Sequence, residues 1–92
     1  MGIEELIAKA KEDFGQNVYV LPPGDMGYTA RVGEITDSGS GPAITVWPYP
    51  YKDQTFSLKN VKISDDGWVV QGDTGNVRLR ALKPGETGPA DA

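Results

Sequence analysis

Ala43–Tyr51, AITVWPYPY, is the stretch that decides how the chain is read. Ile44 and Val46 alternate with Thr45 and Trp47, the period-2 pattern of a strand with one face in a core. The pattern then runs into Trp47-Pro48-Tyr49-Pro50-Tyr51. Neither proline can donate to a sheet ladder, so this end is expected to be an edge, a bulge or an exit from the sheet. The strand half reads as scaffold. The aromatic–proline half reads as a contact surface held extended by its two prolines.

Outward from this stretch, short strands and turns follow on both sides. Downstream, Gln54–Ser64 carries a fault in its alternation. Phe56 and Leu58 are in phase, and so are Val61 and Ile63, but the two pairs are not in phase with each other. One residue near Lys59-Asn60 must therefore be a bulge or bend. Asp65-Asp66-Gly67 signals a tight hairpin, and Trp68–Gln71 returns, with Trp68 read as core. Gly72–Asn76 makes a second turn. Val77–Leu82 is the last strand, with Val77, Leu79 and Ala81 on one face and Arg78 and Arg80 on the other.

Upstream, Asn17–Leu21 is a first strand stopped by Pro22-Pro23-Gly24-Asp25. Tyr28–Thr36 is a second, and Gly33 inside it predicts a bulge or strong bend. Asp37–Pro42, rich in Gly and Ser, is expected to be the most mobile loop. One helix is expected, over Gly2–Phe14. Ile3, Leu6, Ile7, Ala10 and Phe14 form one apolar stripe, Glu4 and Glu5 suit the first turn, and Gly15 supplies a stop. A helix of about 12 residues is marginal alone in water, so it is expected to close one end of a barrel or sheet. From Lys83 onward, KPGETGPADA has no large apolar residue. The domain is therefore taken as 1–83, with 84–92 a disordered tail.

Ninety-two residues make one domain. Twelve glycines and seven prolines favour many short strands over long helices. The net charge is −4, with nine basic residues against thirteen acidic ones, which disfavours duplex nucleic acid and anionic membrane as partners. There is no cysteine and no histidine, so disulfides, thiolate chemistry and the commonest general base are all missing. No apolar run is long enough to span a membrane. The glutamates near the N-terminus do not fit a secretion signal. The expectation is a cytoplasmic protein that is not an enzyme, with no cofactor and no metal.

The remaining polar clusters read as plain turns. Asp65, Asp66 and Asp73 stand where Asp serves the backbone, and SDDGW lacks the spacing of a calcium loop. DSGSGP and GDTGN match no phosphate-loop pattern. One set rises above this background. If Ile44 and Val46 face the core, Thr45, Trp47 and Tyr49 face out together. Arg78 and Arg80 face out from the last strand. Trp47, Tyr49, Tyr51, Arg31, Arg78 and Arg80 are therefore the candidate binding residues, since Trp, Tyr and Arg dominate interface hot spots. The competing reading makes Trp47 core and the tyrosines a cover for a sheet edge.

The order of one helix followed by short bent strands resembles small antiparallel barrels of the SH3-like or Sm-like kind. The expected fold is thus one N-terminal α-helix and a barrel of five or six strands, with a half-open sheet as the alternative. The first functional expectation is a protein-interaction module, a small accessory or inhibitor protein that binds a protein partner through the aromatic–proline surface. The second is a binder of a nucleotide-like small molecule, stacked on Trp47 or Tyr49 and neutralised by Arg31, Arg78 or Arg80, with a site between subunits of a homo-oligomer as one form. A single-strand nucleic-acid barrel ranks third, because the net charge opposes it.

Overall fold

The helical stripe and the alternating strands meet in a closed barrel. In the computed structural model, which describes residues 2–37 and 39–91, helix α1 (Ile3–Asp13) precedes six strands. These are β1 (Asn17–Leu21), β2 (Tyr28–Asp37), β3 (Pro42–Trp47), β4 (Gln54–Ser64), β5 (Gly67–Gly72) and β6 (Gly75–Arg80). Every neighbouring pair is antiparallel, and β6 returns to β1, so the expected small antiparallel barrel is a closed one of six strands. Closure leaves no unpaired sheet edge, which removes the template for edge-to-edge association. Among the described residues, no helix is long and apolar enough to cross a membrane. Of the loop expected to be most mobile, Ser38 lies outside the described residues.

The residues that alternate inward fill the barrel. Val18, Val20, Ala30, Ile44, Val46, Trp68, Val70 and Leu79 are fully buried, and Phe56, Leu58 and Val77 complete the interior. Two bends close the ring, both at the predicted places. The register of β2 on β3 shifts between Val32 and Ile35, around Gly33. A Cβ on Gly33 would sit 2.7 Å from the Thr45 carbonyl oxygen, so the approach of the two backbones requires glycine. The register of β4 on β5 shifts between Ser57 and Lys62, where Asn60 takes a left-handed φ of 61°. That extra residue lets Phe56 and Leu58 face inward while Val61 and Ile63 still reach the core near the helix.

Helix α1 plugs one end of the barrel with Leu6, Ala10 and Phe14. Gly2 takes the N-cap position, and Phe14 and Gly15 close the last turn by donating to the Ala10 and Lys11 carbonyls at 2.8 and 3.1 Å. The helix is latched at its C-terminal end. The Trp68 indole Nε1 donates to Asp13 Oδ2 at 2.7 Å, and the Phe14 ring tilts against the Trp68 ring at 5.0 Å between centroids. Lys9 pairs with the same Asp13 at 3.2 Å, and this hydrogen bond and charge raise the Lys9 pKa.

The C-terminal segment departs from the expected disordered tail. Instead of a free tail, residues 84–91 run back over the outer face of the barrel. Arg80 grips Glu86 through two nitrogens at 2.8 and 3.1 Å, and the Lys83 amide donates to the same carboxylate at 2.6 Å. The Arg80 guanidinium also stacks on the Tyr19 ring, 4.1 Å from its centre. Farther on, buried Asn17 donates to Asp91 Oδ2 at 2.9 Å and accepts from the Ala90 amide at 3.1 Å. A short 3-10 turn, Pro89–Asp91, packs on β2. The hold is polar throughout, which is why a search for apolar anchors misses it.

Two predictions follow from this strap. Ending the chain at Lys83 strips Asn17 of both partners, which is expected to cost about 1–2 kcal/mol. Thermal melting is expected to show the loss as several degrees, and an unchanged melting temperature would mean the strap contributes nothing. The second concerns acid. The Arg80 guanidinium and the Lys83 amide hold the Glu86 carboxyl down to about 2. A depressed carboxyl stabilises the fold above its unfolded value, and the contribution is lost as pH falls toward the folded one. Glu86→Gln is therefore expected to flatten the fall in stability between about pH 4 and 2. Parallel acid-denaturation curves for parent and variant would contradict this.

Candidate binding surface

Antiparallel closure sorts the connections by end. The turns α1–β1, β2–β3 and β4–β5 lie at the helix end, while β1–β2, β3–β4 and β5–β6 lie at the opposite mouth. The exposed large apolar side chains follow this division. Met26 is 89% exposed, Trp47 39%, Tyr49 63% and Tyr51 74%. Met26 is in the β1–β2 connection and the other three are at or within β3–β4, so all four stand at the mouth away from the helix.

The aromatic–proline segment is turned rather than extended. Trp47 ends β3, and the chain folds back so that the Tyr51 amide donates to the Pro48 carbonyl at 2.8 Å. The Tyr49–Pro50 peptide is cis. The Trp47 indole Nε1 donates to the Tyr51 carbonyl at 3.0 Å, and the Tyr49 ring meets the Trp47 ring edge-on at 5.2 Å. The expectation of an extended ladder weighed only the missing proline donors. Tyr51 keeps its N–H, and that donor closes the turn. Trp47 is thus neither core nor a free side chain. Its indole donor is spent on fixing the turn, and the ring stays at the surface.

Below the turn, the inward face of the sheet reaches the mouth. Tyr28 pairs with Val20 and Gln54 with Val46, so both point toward the barrel interior at its rim. With Thr29, Pro48, Tyr49 and Tyr51 they line a groove of about 550 Å³. None of these six side chains is charged. Partial burial, then the nearby Asp25 carboxylate, raises the Tyr28 phenol pKa, so the hydroxyl stays protonated. The β1–β2 connection is braced by Tyr19, whose hydroxyl donates to the Met26 carbonyl at 3.3 Å. Gly27 permits this close fit: its φ is 85°, and a Cβ there would stand 2.7 Å from the Tyr19 ring.

The arginines do not gather as one set. Arg31 lies opposite Trp47 in the β2–β3 register, and the two share a neighbouring hollow with Glu34 and Asp53. Arg78 and Arg80 belong to β6, three strands from β3 around a six-strand ring, and so stand on the other side of the barrel. They line a separate cleft of about 830 Å³ with Lys9, Asp13, Asp65 and Asp66. There Arg80 is committed to Glu86 and Lys9 to Asp13. The sequence reading missed Met26, Tyr28 and Gln54. Met26, the single large apolar side chain in the turn-forming run Pro22–Gly27, was itself the available signal. Gln54 at the rim could be found only by knowing where β4 enters the barrel. Among the described residues, no group of acidic side chains is arranged to hold a metal ion. Compared with protein-family models, curated protein sequences and solved structures, the chain has no significant match in any of the three.

Proposed function

We propose that this protein is a non-enzymatic protein-interaction module, a small accessory or inhibitor protein, that binds its partner through the helix-distal mouth. The observation that carries this reading is the gathering of Met26, Trp47, Tyr49 and Tyr51, the exposed large hydrophobics among the described residues, on two connections at one end. Contiguous exposed apolar side chains on a small domain mark interaction sites. Trp and Tyr are the residues that anchor such interfaces. The turn is already braced by its own hydrogen bonds, so little order has to be imposed on binding.

A nucleotide-like ligand is the weaker reading, because Arg78 and Arg80 stand across the barrel from Trp47 and only Arg31 lies beside it. The partner is taken as a protein in the cytoplasm, in keeping with a chain that lacks cysteine. Mass in solution by light scattering decides whether that protein is a second copy of the chain.

The test separates binding from folding. Tyr49→Ala and Tyr51→Ala remove rings that are mostly in water, so each is expected to change stability by less than about 1 kcal/mol. Each is expected to weaken partner binding by about 2 kcal/mol or more. Melting curves recorded beside binding isotherms check both. Parental affinity in both variants, or a collapse of melting temperature in either, would end the proposal.

A further inference from the structure

We infer that the hollow on the outer wall beside Trp47 binds an uncharged saccharide, a pyranose ring with equatorial hydroxyls. The hollow shares no lining residue with the mouth groove, and the inference does not depend on the protein-contact reading of the mouth. Three strands build it. β2 brings Arg31 opposite Trp47 of β3, and Val46 pairs with Gln54 at the start of β4, which sets Asp53 on the far side of Trp47. Neighbouring strands are about 4.8 Å apart, so the backbones of Arg31 and Asp53 stand about 10 Å apart with the indole between them. One row nearer the helix the wall drops away. Gly33 has no side chain, and a Cβ there would lie 2.7 Å from the Thr45 carbonyl oxygen, so none can fill the space. Beside it the Thr45 hydroxyl shares a hydrogen bond with the Thr55 hydroxyl at 3.2 Å. The hollow measures about 710 Å³, within the range of about 300–1,000 Å³ for small-molecule sites.

The wall chemistry suits a polyol. The ion pairs among the described residues fall on Lys9 and Arg80, so Arg31 keeps a free fork of donors and Asp53 a free acceptor. The Trp47 N–H, in contrast, is spent on the Tyr51 carbonyl, which leaves the indole its ring surface to offer. A saccharide hydroxyl is donor and acceptor at once. Hydroxyls on opposite edges of one ring can therefore meet the guanidinium on one side of Trp47 and the carboxylate on the other. Equatorial hydroxyls leave C–H groups over the flat faces of the sugar, and these slightly positive groups suit the negative face of an indole.

Charge favours a neutral ligand. Arg31 and Lys52, the latter next to Asp53 in the chain, stand against Asp53 and, toward the helix end of the barrel, Glu34. The C-terminal strap adds Asp91, bound to Asn17, which is the other cross-strand neighbour of Arg31. No excess of positive charge is left to draw in a phosphate, and an ammonium at Asp53 would have Lys52 beside it. An uncharged polyol is indifferent to this mixture and uses both signs as hydrogen-bonding partners.

The experiment uses the full chain and cellotriose, a neutral β-1,4-linked glucose trimer. The readouts are the Trp47 indole resonance and tryptophan fluorescence, with buried Trp68 as the internal reference. A saturable shift at Trp47 is expected at millimolar sugar. Arg31 and Asp53 are exposed, so Arg31→Ala and Asp53→Ala are expected to keep the parent melting temperature. Each is expected to weaken binding about tenfold, the loss for a hydrogen bond to a charged group. Tyr51→Ala keeps the backbone carbonyl that holds the indole and is expected to bind the sugar as the parent does. Any of five results would overturn the inference. These are no saturable shift at millimolar cellotriose, an equal shift with glycerol, tighter binding of adenosine monophosphate or of choline, full affinity in either Arg31→Ala or Asp53→Ala, or a loss in Tyr51→Ala equal to theirs. The mouth is tested apart from this, by Tyr49→Ala and Tyr51→Ala against a protein partner.

Discussion

Trp68→Ala is expected to cost about 3–5 kcal/mol, the range for removing a large aromatic from a core. Trp68 is fully buried and takes part in both halves of the fold. On β5 it faces the barrel interior, its ring carries Phe14, and its indole nitrogen donates to Asp13 at 2.7 Å. The substitution thus opens a cavity and unlatches the C-terminal end of α1 in one step. Trp68→Phe separates the two effects. It keeps most of the volume and loses the bond to a charged acceptor, for an expected cost of about 1.5–3 kcal/mol. Chemical denaturation of parent, Trp68→Phe and Trp68→Ala is expected to give midpoints in that descending order. Equal midpoints for Trp68→Phe and Trp68→Ala would mean that packing under the helix counts for little.

Leu6→Ala is expected to cost about 2–4 kcal/mol, because Leu6 is fully buried at the centre of the helix stripe. A helix of this length does not hold alone in water, so its order depends on this contact. The barrel depends on it in turn, since Val61, Ile63 and Val32 are only partly buried and pack against the same cluster. Small domains hold only about 5–15 kcal/mol in all, so this one side chain is a large share. The measurement is the melting temperature of Leu6→Ala against Glu5→Ala, an exposed neighbour on the same turn. Equal melting temperatures would contradict a structural helix.

Much of the fold was legible because its signals are local. The apolar stripe of Ile3–Phe14 and the alternation in β1, β3 and β6 each need only a few residues of sequence. The phase break after Leu58 located the bulge at Asn60, since a strand cannot bury both Leu58 and Val61 without an extra residue. What was not legible depends on which strands become neighbours. Arg31 and Arg80 look alike in sequence, but closure puts one beside Trp47 and the other on Tyr19 across the barrel. The strap was missed for the same reason: Asn17 and Asp91 stand 74 residues apart, and nothing local marks them as partners. At the mouth, the aromatic residues were found but their arrangement was not. A single retained donor, the Tyr51 N–H, changes an extended segment into a turn.

The mouth differs in kind from the helix end. At the helix end apolar groups are covered by α1, whereas at the mouth four large ones stand in water with their backbone already braced. The claim that this mouth is the working surface is tested most directly by site-specific photo-cross-linking. A photoreactive residue is placed at Tyr51 and, in a second preparation, at exposed Lys62 near the helix end. The account predicts one defined adduct from Tyr51, competed away by the parent protein but not by the Tyr49→Ala/Tyr51→Ala double variant, and no such adduct from Lys62. An adduct from Lys62 with none from Tyr51, or one from Tyr51 that the double variant competes as well as the parent does, would contradict it.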